Sequence, residues 1–540
     1  MNSYRFSFIL FVCLLLFLPF LGTVHLFDWD EINFAECARE MISTSNYSTV
    51  TIDYLPFWEK PPLFIWMQVV SMKIFGIGEF AARFPNLIAA IATAFFLYLA
   101  GRKIKNETFA YWWLAFYLGS FLPNIYFHSG IIDPWFNLFI VGAIYHLYKG
   151  HKDEYGIGSY LLAGGFLGLA VMTKGPVALA LVGGTALIYF ISIRFRQFPS
   201  IIQLLAFFMF TLLIGGIWFM LLINTGNKQM ISEFISYQLR LFQTQDAGHG
   251  GPFYYHFLIL LLGCFPASFF AIGYFFYQKK QKNVPFDLWM KVIFWLTLLL
   301  FSIVSTKIIH YSSLCYFPLS YFAARWVQAS NYPKQVKVIA ITTISYLVIL
   351  SIVLFIIPYA LINKEWLIET FNIKDPFAIA NLNAKLAWSS WDYLPGIVFL
   401  SGAIASLVLL FRQQLKLAII ASLVTVAVGI LSIQANTLSK IEGITQAAAI
   451  EFFQKHKKED CYLVPLGYKS YAQLFYGETP KHMNKKRFDE KWLCDGETDK
   501  PVYFISKIDR KTYYMTTYPK LFILYEKNGF VFYSKLPKAK

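Results

Sequence analysis

The chain has 540 residues, a formal net charge of +16, 57% hydrophobic residues and only 14% charged ones. A soluble globular domain carries about 25% charged residues, so a water-soluble fold is excluded. The apolar runs do not alternate with period two, which excludes a transmembrane barrel. The positive charge sits mostly in short loops and the tail, which suits membrane orientation and anionic lipid rather than nucleic acid.

Fourteen apolar runs occur, near residues 6–26, 62–76, 80–100, 108–127, 134–149, 157–173, 176–193, 201–223, 253–277, 288–305, 311–328, 337–360, 393–411 and 416–435. Many approach or exceed the ~18–20 residues that cross a bilayer. The first follows Arg5 as in a signal peptide but lacks a small-residue cleavage site, so it reads as a retained helix. The loops at 102–105, 149–152, 194–196, 279–282, 334–337 and 412–416 are rich in Lys and Arg and therefore cytoplasmic.

Strict alternation breaks that charge pattern unless one early run does not span. The run 62–76 is the shortest, opens on Pro61-Pro62 and carries Gln68 and Lys73, which predicts a helix lying along the interface. Thirteen spans then remain, with the N-terminus inside and Asp30, Lys60, Asp133, Lys174, His249, Lys307 and the tail all on the outer side.

The predicted class is an all-α polytopic membrane protein with about 13 transmembrane helices over residues 1–435 and a small α/β domain over 436–540. Residues 27–79 form the first outer loop, with interfacial helices. In the tail, Thr445 to Lys457 predicts an amphipathic helix, and 462–465 and 502–506 predict strands. Two further strands flank Asn528-Gly529, a hairpin signal. None of the six cysteines forms a CxxC pair, so no structural zinc site is expected, and Cys461 and Cys494 are candidates for a disulfide in an oxidising compartment.

Chemistry concentrates at the outer face. Five of the 31 acidic residues (Asp28, Asp30, Glu31, Glu36 and Glu40) crowd directly behind the first apolar run. A short helix there would pin its apolar side to the membrane and present the carboxylates above it. Asp133 opens a span before Pro134, where a charge is costly and usually functional, although an N-cap explains it equally well. Lys60, stiffened by the double proline, is a point charge suited to phosphate, with snorkelling as the ordinary alternative. Lys174, Lys307, His310 and Tyr311 lie on the same face, as do Arg240, His249 and Tyr254/Tyr255. His249 is a candidate metal ligand with Glu59 as partner; the ordinary reading is a hydrogen-bonded structural histidine. Carboxylates can orient or deprotonate an acceptor, and cations can stabilise a phosphate leaving group. With no Walker loop and no GxGxxG motif, a phosphorylated lipid fits as donor better than a nucleotide sugar.

Several motifs, in order over about residues 25–325, resemble one known group. They are Asp30-Glu31 with Ala35-Glu36 and Ala38-Arg39-Glu40-Met41, Glu59-Lys60-Pro61-Pro62-Leu63, residues 79–85, Asp133-Pro134 and Thr173-Lys174-Gly175-Pro176. His249 with Pro252-Phe253-Tyr254-Tyr255, and Ser305-Thr306-Lys307 with His310-Tyr311, complete the set. The group is the aminoarabinose transferase / dolichyl-phosphate-mannose protein mannosyltransferase-like family, GT-C type glycosyltransferases that use polyprenyl-phosphate sugars.

The resemblance implies a multi-pass inner-membrane enzyme with its active site and tail in the periplasm. It implies an undecaprenyl-phosphate-linked donor, a lipid (lipid A-like), glycan or protein acceptor, and inversion at the sugar. It implies Asp30 and Asp133, with Glu31 beside them, as catalytic or acceptor-positioning carboxylates. Lys60, Tyr311, Lys307, Lys174 and Arg39 would lie toward the donor phosphate, and a divalent metal such as zinc would sit at Glu59 and His249. Ile32 and Asn33 stand where aminoarabinose transferases carry Thr and Arg, which leaves the sugar and the acceptor open. The alternatives are a lipid-linked sugar transporter, against which the absence of an internal repeat counts, and a non-catalytic scaffold that presents the tail.

Overall fold

The computed structural model describes residues 3–152, 156–243, 250–277, 284–329, 333–481 and 484–537. His249 and the basic loop 279–282 lie outside these residues. Every one of the fourteen apolar runs carries helix. Among the described residues, six helices are long and apolar enough to cross a bilayer, or up to nine if each of three bent helix pairs counts as one span. Three further apolar helices are shorter: Tyr4–Phe17, Leu63–Phe75 and Val177–Ser192.

The helix Leu63–Phe75 has 13 residues. At 1.5 Å per residue it is about 20 Å long, short of a ~30 Å hydrocarbon core. It packs against the helices Asp30–Thr44 and Glu79–Ile104. The segments Phe121–His128 and Asp133–His151 meet at 119°, and this sharp bend puts Asp133 at the head of its helix.

The helical core is aromatic, with Trp113, Trp289, Trp326 and Tyr321 fully buried. Small residues set the closest approaches, as is usual between membrane helices. A Cβ on Gly164 would lie 2.2 Å from the Phe207 carbonyl oxygen, so the helices Gly156–Lys174 and Ile201–Gly215 touch backbone to backbone.

The first outer loop contains a two-stranded hairpin, β1 (Thr51–Ile52) and β2 (Leu55–Pro56). The tail forms a mixed sheet of β3 (Tyr462–Leu466), β4 (Val502–Lys507), β5 (Phe522–Lys527) and β6 (Phe530–Lys535), in the order β3-β4-β6-β5. β3 and β4 run parallel; the other two pairings are antiparallel. The expected hairpin is present: Lys527 pairs with Phe530, and Asn528 and Gly529 between them have φ of 48° and 77°. Two successive positive φ values are what a two-residue turn between twisted strands needs. The expected amphipathic helix is Ala447–His456, with Phe452 and Phe453 facing inward.

The six cysteines are separate buried thiols, so the expected Cys461–Cys494 disulfide is not formed. Cys494 packs into the sheet core beside Tyr462 and Leu466, whereas the Cys461 thiol points at the His456 carbonyl, 3.8 Å away.

The tail sits directly on the first outer loop. Asp28 accepts hydrogen bonds from Ser470 Oγ and the Tyr471 amide. The Tyr476 hydroxyl accepts from the Leu26 amide at 2.7 Å, the Tyr54 hydroxyl donates to the Thr479 carbonyl at 2.8 Å, and Arg487 pairs with Asp53 at 2.6 Å.

Candidate active site

The site begins with a brace built on Glu31. This side chain is 5% exposed. It pairs with Arg83 through both oxygens, at 3.0 and 2.9 Å, and accepts the amides of Phe27 and Gly130. Arg83 in turn donates to the carbonyls of Leu21, Val24 and His25, so its guanidinium is saturated. Asn86 donates to the carbonyls of Ser129 and Ile131, which fixes the turn before Asp133. Burial pushes the Glu31 carboxyl up, but Arg83 and the two amides outweigh it and hold the group below its ordinary value. Because Asp30 is the next residue to Glu31 and Gly130 lies three residues before Asp133, the brace brings the two aspartates together.

Asp30 and Asp133 meet through a histidine. His310 Nε2 lies 3.4 Å from Asp30 Oδ2 and 3.9 Å from Asp133 Oδ2. The Asp30 side chain is 40% exposed, whereas that of Asp133 is 3% exposed. Lys174 Nζ donates to Asp133 Oδ1 at 2.7 Å. Lys174 ends its helix just before Gly175, whose φ is +80° and whose missing Cβ would lie 2.7 Å from the Phe234 ring. Only glycine adopts that backbone against that neighbour without strain.

Beside the carboxylates lies a cavity of about 70 Å³, lined by Lys60, Lys174, Gln238, Thr306, Tyr311 and apolar side chains such as Phe301. Lys174 Nζ stands 5.2 Å from the Tyr311 ring centre and Lys60 Nζ 6.0 Å from that of Tyr237. The Gln238 side chain anchors the Lys60 loop by donating to the Glu59 carbonyl at 3.1 Å. Two ammonium groups, a phenol and an apolar wall suit a phosphate joined to a hydrocarbon chain.

Three expected site residues serve the fold instead. Glu31 is not a second catalytic carboxylate, because Arg83 and two amides occupy its oxygens. Lys307 is not a free phosphate ligand: its ammonium donates to the carbonyls of Phe301, Ser302 and Val304 at 3.0, 2.7 and 2.6 Å, which uses all three protons. Arg39 is not near the cavity residues. It is 5% exposed, bonded through two nitrogens to Glu36 at 2.6 Å, and donates to the Thr479 carbonyl under the tail. Among the described residues no group of three or more His, Cys, Asp or Glu side chains could hold a metal ion. Of the expected zinc pair, Glu59 is described and His249 lies outside the described residues, so the residues described do not make a zinc site and no step is routed through one.

His310 is the site residue that sequence reasoning left without a role. The signal was its position beside Tyr311 in the polar stretch 305–313 between two apolar runs; nothing in that stretch reveals that two aspartates face it. Burial pushes its imidazole below the ordinary value, against the pull of Asp133 and Asp30.

The dolichyl-phosphate-mannose-protein mannosyltransferase family matches residues 59–219. An undecaprenyl phosphate-alpha-4-amino-4-deoxy-L-arabinose arabinosyl transferase of Shewanella sediminis is 26% identical over 356 residues, 65% of this chain and 65% of that protein. Its counterpart in Wigglesworthia glossinidia brevipalpis is 27% identical over 66% of this chain and 64% of that protein. The chain thus matches just under two thirds of the length of these curated relatives. The crystal structure of ArnT from Cupriavidus metallidurans bound to undecaprenyl phosphate superposes with a TM-score of 0.78 at 17% identity, covering 100% of this chain and 99% of that one. The chain therefore has the ArnT fold, a multi-span helical membrane architecture.

Proposed function

We propose that the chain is a membrane glycosyltransferase that moves a sugar from a polyprenyl-phosphate carrier to a lipid acceptor of the lipid A type. The carrier is undecaprenyl phosphate, the molecule bound in the ArnT structure of the same fold, and the sugar is an aminoarabinose-like pentose, as in the names of the curated relatives. The active face and the tail lie on the periplasmic side of the inner membrane, as the basic loops imply. The observation that carries the reading is the meeting of Asp30 and Asp133 beside a cavity that Lys60, Lys174 and Tyr311 line.

In this reaction an acceptor oxygen forms a bond to the anomeric carbon from the face opposite the phosphate. The bond from that carbon to the phosphate oxygen breaks, its electron pair stays on the phosphate, and the configuration inverts. Lys60 and the Tyr311 hydroxyl face the phosphate and stabilise the charge that grows there. Lys174 is committed to Asp133 and keeps that carboxylate ionised. A hydroxyl acceptor passes its proton to Asp30; an ionised phosphate acceptor is only oriented by it.

The test is transfer by the purified full chain in detergent, with undecaprenyl-phosphate aminoarabinose as donor and lipid A as acceptor, read by mass spectrometry. Wild type forms the glycosylated product, and Asp30→Asn lowers kcat by about 10²–10⁴-fold. Near-full activity of Asp30→Asn rejects the role of Asp30. Movement of intact donor across reconstituted vesicles without cleavage of its glycosidic bond rejects the enzyme in favour of a transporter.

A further inference from the structure

Asp30 has a single ion-pair partner among the described residues, the imidazole of His310 at 3.4 Å. Asp133 Oδ2 lies 3.9 Å from that same nitrogen; it is buried and has no hydrogen-bond partner among the described residues. Lys174 satisfies only the other oxygen of Asp133. A buried carboxylate oxygen left without a hydrogen bond is costly, so an N–H donor standing close to it has a reason to be there.

The chemistry of the two neighbours settles which way His310 is protonated. An ionised carboxylate only accepts hydrogen bonds. With Asp30 Oδ2 at 3.4 Å and Asp133 Oδ2 at 3.9 Å, Nε2 carries a hydrogen and presents that hydrogen, rather than a lone pair, to the carboxylates. The charged and titratable groups around it come from five elements. They are Asp30 on the helix Asp30–Thr44, Asp133 heading Asp133–His151, Lys174 ending Gly156–Lys174, Lys60 on the loop before Leu63–Phe75, and His256 on Tyr255–Gly263. His310 itself stands on a tight turn, Ile309–Cys315. That turn is tied down from two sides: Asn137 donates to Ser313 Oγ at 2.8 Å, and His256 Nδ1 bonds Ser312 Oγ at 3.0 Å.

We propose that His310 is a positioning residue for the transfer reaction: its imidazole, 3.4 Å from Asp30 Oδ2 and 3.9 Å from Asp133 Oδ2, holds the exposed Asp30 carboxylate in its working orientation beside Asp133. This role rests on the glycosyltransferase reading and deepens it. Asp30, 40% exposed and not otherwise paired, would sample several rotamers. The rigid turn selects one of them and couples it to the buried Asp133–Lys174 pair.

The experiment compares wild type, His310→Phe, His310→Gln and Asp30→Asn as full chains in detergent, each first checked for a monodisperse peak and an unchanged melting temperature. The donor is undecaprenyl-phosphate aminoarabinose and the acceptor lipid A. His310→Phe keeps the ring but no N–H; it lowers kcat at least ~10-fold while donor KM stays within about threefold, because the donor cavity is untouched. Gln, whose amide reaches the same position, restores most of kcat.

His310→Phe with wild-type kcat, beside an inactive Asp30→Asn, overturns the proposal and leaves the glycosyltransferase reading standing. Equal losses in His310→Phe and His310→Gln also overturn it, in favour of a packing role. A wild-type chain that turns over no donor overturns the glycosyltransferase reading, and this role with it.

Discussion

Lys174→Met tests the site at its most buried charge. The Lys174 and Asp133 side chains are 11% and 3% exposed and meet at 2.7 Å. At an effective dielectric of about 20 their attraction is roughly 6 kcal/mol before desolvation. Removing only the cation leaves the Asp133 carboxylate buried with neither oxygen hydrogen-bonded among the described residues and with His310 3.9 Å away. Breaking a buried pair in this one-sided way costs about 3–5 kcal/mol. The double variant Lys174→Met/Asp133→Asn removes both charges at similar volume and is expected to recover most of that loss, a coupling of about 3 kcal/mol. Activity behaves differently: each single variant and the double variant lose at least ~10²-fold in kcat, about 2.7 kcal/mol of barrier. Stability is read from denaturant melts of the four proteins in one detergent, and activity from product formation in the same preparations. A Lys174→Met protein as stable as wild type, or a double variant that loses the sum of the singles, would refute the reasoning that this pair is a buried, mutually dependent unit.

Four further outcomes follow from the same geometry. Lys60→Ala removes a cavity ammonium and is expected to weaken undecaprenyl phosphate by about 10–100-fold, the value of a hydrogen bond to a charged group, as measured by inhibition of transfer; Lys307→Met is expected to lower stability with donor KM nearly unchanged, because its protons serve backbone carbonyls. Glu31 is held below its ordinary value of 4.5, so its contribution is present above that pH and is lost as pH falls through the lower folded value; melts between pH 6 and roughly 3 should show an acid-labile step that Glu31→Gln removes while lowering stability at pH 7. Treatment with EDTA is expected to leave transfer intact because Lys60 and Tyr311 face the phosphate; a loss that zinc restores and that Glu59→Ala abolishes would assign a metal to Glu59 and His249.

Much of the fold was legible from one property of the chain, because a backbone in lipid must satisfy its own hydrogen bonds and does so by helix. Long apolar runs therefore became helices, although the first helix ends at Phe17 and the runs 201–223 and 253–277 each bend sharply midway, and Pro61-Pro62 marked the start of a helix too short to span. The tail was legible for a local reason as well: Asn528-Gly529 carries its turn geometry in its own backbone preferences. Asp30, Asp133, Lys60 and Tyr311 were identifiable because charged or polar groups at the end of an apolar run need a cause.

What the sequence by itself determined, then, is the set of helices, the polar face on which the reactive groups gather, and the identity of the aspartates. Only the tertiary structure decided which of the neighbouring charges are free to act. Glu31, Arg39 and Lys307 look like site residues in sequence, yet Arg83, Glu36 with the Thr479 carbonyl, and three backbone carbonyls absorb them. His310 looks ordinary, yet it stands between two carboxylates drawn from segments more than 170 residues away in the chain. The physical reason is that a residue's character is local, whereas its partners are set by long-range packing, and a charge with its hydrogen bonds already made has nothing left to offer a substrate.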